Sequence, residues 1–322
     1  MLLGSGLCAG QDATQDAGLM ARVRGIAAAH HGEVALFAED LRTHETVAIA
    51  PDVPVQTASV IKLAILYEAM EQVRAGKLHW SDTIVLKKTD QVQGSGVLRF
   101  FDAPLTLTLK DVLTMMIVMS DNSASNVAMD AVGIENVNRR IALLGLKDTY
   151  LYKKIFTPVV AGVMMPADQK KFGLGKTTAR EMAKVMTKIA TCDLGGTMGG
   201  GEAAGGDAGI CATALKMLHV QFYRTSIPRY LDAMKGSVGD SIANKTGSLD
   251  AVRNDVAAVS TKNGMVVISC FTYNNADRSW GAEHEAELTI AKISREIVTA
   301  WSPEGLAAWP ADRGAVIAQG RR

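Results

Sequence analysis

Three short stretches of this 322-residue chain carry residue types that can make and break an acyl bond. The first is Ser59-Val-Ile-Lys62. On a helix, residues three apart share a face, with Cβ atoms about 5–6 Å apart. A serine at a helix start meets unpaired N–H groups that favour developing negative charge. Lys62 is flanked by Val60, Ile61, Leu63, Ala64, Ile65 and Leu66, so no polar face is open to it. Burial disfavours the ammonium form, and a neutral lysine can take the proton of a serine hydroxyl. The second stretch, Ser120-Asp121-Asn122, follows an apolar helix pattern. There Ser120 can relay a proton toward a leaving nitrogen. Asn122 can hold a substrate amide and contact Lys62. The third stretch is Lys245-Thr246-Gly247-Ser248, inside a strand pattern. A glycine in a strand interior often marks close approach by a ligand or another backbone. Lys245 and Thr246 can bind an anionic group, and backbone N–H groups near Ser248 and Ser59 can form an oxyanion hole. Singly, each stretch has a plainer reading: a cap serine with a surface lysine, a helix-end cap, and a hairpin turn.

Taken together and in this order, they resemble the S-x-x-K, S-D-N and K-T-G set of the β-lactamase and penicillin-binding-protein superfamily, class A most closely. The resemblance runs over about residues 15 to 303. Met119-Ser-Asp-Asn-Ser-Ala-Ser-Asn126 is similar to the class A helix corner. Asn254-Asp-Val-Ala-Ala-Val259 is similar to the strand after K-T-G, and Gly94-Ser-Gly-Val-Leu98 to the loop that walls one side of the cleft. The resemblance implies catalytic roles for Ser59, Lys62 and Ser120, with Ser59 acylated. It implies substrate binding by Asn122, Lys245, Thr246, Gly247 and Ser248. Arg253 falls where family members carry a basic residue for the substrate carboxylate. The implied partners are a small β-lactam or a peptidoglycan stem peptide, with no metal or other cofactor, acting on a monomer.

One part of the pattern is missing. Class A enzymes deacylate with a glutamate in a loop between the second and third motifs, typically within E-x-x-L-N. The corresponding stretch here, Leu151-Tyr-Lys-Lys-Ile-Phe-Thr-Pro-Val-Val160, contains no carboxylate. From Ala161 to Lys176 only Asp168 is acidic, and the nearest glutamates are Glu135 and Glu181. Hydrolysis of a serine ester needs a positioned water and a base. The ester should therefore persist unless Lys62, Asp168 or Tyr152 substitutes. Three functions stand side by side. One is a β-lactamase-like hydrolase with slow deacylation. The second is a D,D-peptidase, or other amide or ester hydrolase, that penicillin traps. The third is a non-catalytic peptidoglycan or β-lactam sensor, against which the retained Ser59, Lys62, Ser120, Asn122 and Lys245 argue. The six histidines are scattered without ligand spacing, and there is neither a G-x-S-x-G elbow nor a zinc pattern.

The elements that must position these residues are legible as patterns. Leu19, Val23 and Ile26 place a helix in Asp12 to His30. Strands follow at Glu33 to Leu41 and Glu45 to Ala50. Ser59 to Gln72 is apolar on nearly every side and reads as a buried helix. Thr108 with Asp111, and Thr178 with Glu181, mark capping boxes opening two more helices. Ser123 to Ala131 and Thr213 to Phe222 complete the helical middle. Strands return at Ser241 to Ser248, Arg253 to Val259 and Met265 to Tyr273, and a helix at Ala282 to Ala300 closes the chain. The expected fold is α+β: an antiparallel five-stranded sheet flanked by terminal helices, plus an all-helical lobe. The division is an α/β lobe at 12–57 and 226–303, a helical lobe at 58–225, and a flexible tail at 304–322.

Composition sets the setting. Charged residues make up 21% and the net charge is +1, which gives no reason to expect a nucleic acid or an anionic membrane as partner. No apolar run is long enough to cross a bilayer. Residues 1–10 read as a signal-peptide remnant, which points to the periplasm or the medium. Cys8 within it suggests lipidation, although Leu7 before it fits poorly. Cys192 and Cys211 flank a Gly-rich surface insertion, and a disulfide there would add roughly 3 kcal/mol by closing the loop. Two free thiols are the alternative. Cys270, in an apolar strand, reads as core packing.

Overall fold

The computed structural model describes residues 17–158, 165–195 and 207–310. The leader, Cys8, most of the Gly-rich insertion and the last twelve residues lie outside this set. The chain opens with α1 (Ala17–Ala28) and the hairpin β1 (Glu33–Asp40) and β2 (Thr46–Ile49). The short β3 (Val55–Gln56) leads through a 3₁₀ turn, Ala58–Ile61, into α2 (Lys62–Arg74). β4 (Thr83–Leu86) pairs with β5 (Leu105–Thr108) and delivers the chain to α3 (Leu109–Val118), α4 (Asn122–Val132) and α5 (Ile134–Leu143). Next come β6 (Tyr150–Leu151), the single turn α6 (Gln169–Phe172) and β7 (Gly175–Thr177). α7 (Ala179–Thr191), α8 (Asp207–His219) and the single turn α9 (Pro228–Leu231) precede a meander of β8 (Ile242–Leu249), β9 (Val252–Thr261) and β10 (Gly264–Tyr273). α10 (Glu285–Trp301) is the last helix.

The main sheet is five-stranded and antiparallel, in the order β2-β1-β10-β9-β8. Both its faces are covered, and the period of two along each strand sorts the residues. Ala35, Phe37, Val256, Ala258, Val267 and Phe271 join the core of the helical side. Leu36, Ala38, Ala257, Val259, Ile268 and Cys270 join a second core under α1 and α10. This is the α+β arrangement expected from the sequence. α7, assigned by pattern to the helical lobe, lies directly on β1, β9 and β10. α2 is buried on all sides from Lys62 to Gln72, as its unbroken apolar pattern requires.

Four expectations are corrected. Ser59 does not open an α-helix; it sits in the 3₁₀ turn that precedes α2. The box at Thr178 is half formed. Its hydroxyl accepts from the Glu181 N–H, but the Glu181 carboxylate is drawn instead to the N–H of Asp148 and the hydroxyl of Thr149. α8 begins at Asp207, six residues before Thr213, and Asp207 pairs with Arg74 of α2. The tail beyond 304 is packed as far as the described residues go. Leu306 is buried and bridges Thr261, and the Trp309 ring lies edge-on to His219 at 4.7 Å. Cys192 and Cys211 form a disulfide. Cys270 is free and buried.

Candidate active site

The turn carrying Ser59 is held from two directions. Thr57 donates both its N–H, at 3.0 Å, and its hydroxyl, at 3.1 Å, to the Gly175 carbonyl of β7. From β9, the Asn254 amide donates to the carbonyls of Gln56 and Thr57 at 2.9 and 3.1 Å. Ala58 has a φ of 45°, a left-handed conformation that a non-glycine residue adopts only under constraint. Such strain beside a candidate nucleophile fits a backbone fixed for function.

Lys62 begins α2 and is fully buried. Its ammonium lies 2.8 Å from the Ser120 carbonyl oxygen, 3.1 Å from the Ser120 hydroxyl and 3.4 Å from Asn122 Oδ1. Burial, and then the charge of Lys245, hold its pKa well below the ordinary lysine value; Asp121 opposes them. A neutral amine has two N–H bonds and one lone pair. The two shorter contacts use the N–H groups and leave the lone pair available. The Ser59 hydroxyl, three residues back, has no hydrogen-bond partner among the described residues.

Ser120 sits at the corner between α3 and α4 with a φ of 52°. This second left-handed residue turns both its carbonyl and its hydroxyl toward Lys62. The corner is fixed by Asp121, whose carboxylate caps α4 at Ala124 N–H and accepts from the N–H groups of Val97 and Leu98. Asn122 is fixed in turn, its N–H donating to the Ser95 carbonyl and its amide to that of Gln93.

Lys245, on the edge strand β8, is also fully buried. It donates to the Ser120 hydroxyl at 3.1 Å and to the Thr246 carbonyl at 2.7 Å. Burial pushes its pKa down to about 7, against the raising effect of Asp255. Asp255 is itself pushed up to about 6 by burial, although it accepts from Asn244 and the Ile227 N–H. The Ser120 hydroxyl therefore bridges the two lysines. Gly247 closes the gap to Ser59: a Cβ there would lie 2.8 Å from the Thr57 carbonyl and 2.9 Å from the Ser59 nitrogen. Only glycine lets β8 approach the turn this closely.

Arg253 is not brought to this group. Lys245, Gly247 and Asn254 share one face of the sheet, because Gly247 opposes Asn254 in the register. Arg253 opposes Ser248 and so points to the α10 side. There its guanidinium donates to the carbonyls of Leu249, Val252 and Ser279, sits 3.4 Å from Glu287 and stacks against Trp280. By the same alternation, Thr246 and Ser248 lie off the face of Lys245; Thr246 is half-buried and Ser248 exposed.

No carboxylate replaces the missing glutamate beside Lys62 among the described residues. Asp168 accepts from the Tyr152 hydroxyl at 2.7 Å and from Lys176 at 2.9 Å, and these bonds lower its pKa. Burial and Asp168 raise that of Tyr152. Neither is poised as a base near neutral pH. Instead, Asn126 holds the backbone of Ile155 against α4. The structural roles of Thr57 and Asn254 were missed in the sequence, whereas Asp121 takes the helix-end cap that its stretch suggested. The signal was present in Asn254 and Asp255, polar residues directly before the apolar run Val256 to Val259 of β9, since buried polar groups require partners.

Among the described residues no group of three His, Cys, Asp or Glu can hold a metal ion, and no helix is long and apolar enough to cross a membrane. The beta-lactamase enzyme family profile matches residues 18–301. No curated protein sequence matches significantly. Among solved structures, a beta-lactamase from Sphaerobacter thermophilus shares 29% identity at a TM-score of 0.71, covering 88% of this chain and 96% of its own. A beta-lactamase from Chitinophaga pinensis shares 20% at 0.72, covering 88% and 99%. A point mutant of PBP-A, solved as an acyl-enzyme complex with penicillin G, shares 19% at 0.71, covering 89% and 97%. For these last two the likeness is one of fold.

Proposed function

The chain belongs to the beta-lactamase enzyme family, and from that premise we propose that it is a serine hydrolase that opens β-lactam amides through an ester on Ser59. Neutral Lys62 takes the hydroxyl proton as Ser59 Oγ attacks the lactam carbonyl. The Ser59 N–H and a backbone N–H near Ser248 receive the oxyanion. The proton passes from Lys62 through the Ser120 hydroxyl to the lactam nitrogen as the C–N bond breaks. Lys245 holds the substrate carboxylate, and Asn122 the acylamino group on the other side. Arg253 stays outside this set, its guanidinium engaged on the opposite face of the sheet.

The observation that carries this reading is the Lys62–Ser120–Lys245 chain, a continuous hydrogen-bonded path between three sequence-distant stretches. Deacylation is slow in this account, because the segment held by Asn126 offers no carboxylate. That absence also favours a second reading, a D,D-peptidase of peptidoglycan that penicillin acylates lastingly. Turnover of a chromogenic cephalosporin separates the two. Release of many equivalents, lost in Ser59→Ala, supports the hydrolase; a single equivalent with no further release supports the peptidase. Export to the periplasm or the medium is proposed for either, because peptidoglycan and β-lactams are met there.

A further inference from the structure

A second cleft, of about 510 Å³, opens beside the corner and is lined by Lys88, Gln91, Val92, Gln93, Arg99 and Phe156. It is joined to the site through two neighbouring residues. The Gln93 carbonyl accepts from the Asn122 amide. A Cβ on Gly94 would lie 2.5 Å from Asn122 Nδ2 and 3.2 Å from the Phe156 ring. One chain thickness therefore separates Asn122 from the cleft.

Its electrostatics are one-sided. Two cations line it and no carboxylate does. Neither Lys88 nor Arg99 has an acidic partner among the described residues. Two nearby acids are otherwise engaged: Asp90 accepts from the Lys87 N–H, and Asp121 from three backbone N–H groups. Arg99 is held by stacking on Phe100, its Cζ 4.4 Å from the ring centroid. Its Nε is buried without a hydrogen-bond partner, and so is Gln91 Oε1 on the same wall. The amide nitrogen of Gln91 is pinned to the carbonyls of Leu98 and Phe101, which fixes the wall. A buried, unpartnered guanidinium nitrogen beside a second free cation is costly unless an acceptor arrives.

The orientation of the substrate says which part would arrive. The leaving nitrogen and carboxylate point to Ser120 and Lys245, so the acyl half runs past Asn122 and over Gly94. The geometry points to this cleft as a subsite for an anionic group, a carboxylate, on the acyl side of the substrate. Substrates carrying one are preferred over neutral analogues. Phe156 supplies an apolar wall for the intervening arm. The inference rests on the acylation reading above for its orientation, and the test keeps the two apart.

The probes are benzylpenicillin and α-carboxybenzylpenicillin, which differ by one side-chain carboxylate. Second-order acylation constants are measured for the wild type, Arg99→Gln and Lys88→Gln. The expected ratio favours the carboxylated compound by about tenfold and falls toward one in each variant, as for a charge-assisted contact. It also shrinks at high salt. A ratio near one in the wild type, or one that the variants do not change, overturns the subsite. If neither penicillin acylates Ser59, the acylation reading fails and equilibrium binding decides the subsite alone. Phenylmalonate should then perturb the amide resonances of Lys88 to Arg99 more strongly than phenylacetate, at least fivefold more weakly in Arg99→Gln. Equal binding of the two acids, or no loss in the variant, overturns it.

Discussion

The side chain of Asn126 clasps the peptide of Ile155 on both sides, donating to its carbonyl at 3.0 Å and accepting from its N–H at 2.8 Å. Asn126 lies one helical turn beyond Asn122, which touches Lys62. Ile155 is thereby fixed against α4, one turn from Asn122, in the segment where a carboxylate is missing. Ile155→Glu should accordingly supply a base there. The expected result is deacylation of a penicillin adduct at least tenfold faster, with acylation little changed. Adduct lifetime by mass spectrometry measures it; an unchanged lifetime with normal acylation would show that the missing carboxylate does not limit turnover.

The pH dependence follows from two lysines with opposite requirements. Lys62 must be neutral to take the serine proton, and its pKa is well below the ordinary value. The acid limb of the acylation constant therefore rises with pH as Lys62 loses its proton. Lys245 must be charged to hold an anion, and its pKa is about 7. The alkaline limb therefore falls as pH passes about 7 in the free enzyme. In Lys245→Arg, whose guanidinium stays protonated, the alkaline limb should move up by more than one pH unit. A limb that stays in place would assign it to another group.

Gly247→Ala tests the close approach of β8 to the nucleophile turn. The added carbon would meet the Thr57 carbonyl and Ser59 nitrogen at distances below van der Waals contact. Strand and turn must separate, and the Ser59 N–H moves with them. Acylation should fall by about 100-fold or more, as for loss of an oxyanion donor. A thermal melt run alongside reports the folded state; a folded variant that acylates normally would remove Gly247 from the site.

The Cys192–Cys211 disulfide ties the end of α7 to α8, and α8 packs against α2. Replacing both cysteines with serine should cost about 3 kcal/mol in the loop-entropy model, read from denaturant unfolding. No loss of stability would mean that contacts such as Arg74 with Asp207 already hold the loop.

Much of the site was legible because its chemistry demands particular residues in particular surroundings. A lysine among six apolar neighbours is a strong local signal, and Lys62 is buried where that signal put it. The strands of the sheet were legible as short runs bounded by turn signals. What was hidden depends on register and on distant partners. A shift of one residue decides the face of a strand, and Arg253 fell on the far one. The 3₁₀ turn at Ser59 is set by Thr57, Gly175 and Asn254, which are remote in sequence. Glu181 matched a capping box locally, yet Thr149 and Asp148 captured its carboxylate. Leu306 found a place against β9 that a loose Ala/Gly/Pro composition did not announce.

The acyl-enzyme is the core of the account, and a benzylpenicillin time course by intact-mass spectrometry tests it most directly. The wild type should gain one equivalent within minutes, mapping to the peptide that contains Ser59, and clear it slowly. Ser59→Ala and Lys62→Ala should gain none. An unmodified wild type, or an adduct that survives in Ser59→Ala, would contradict it.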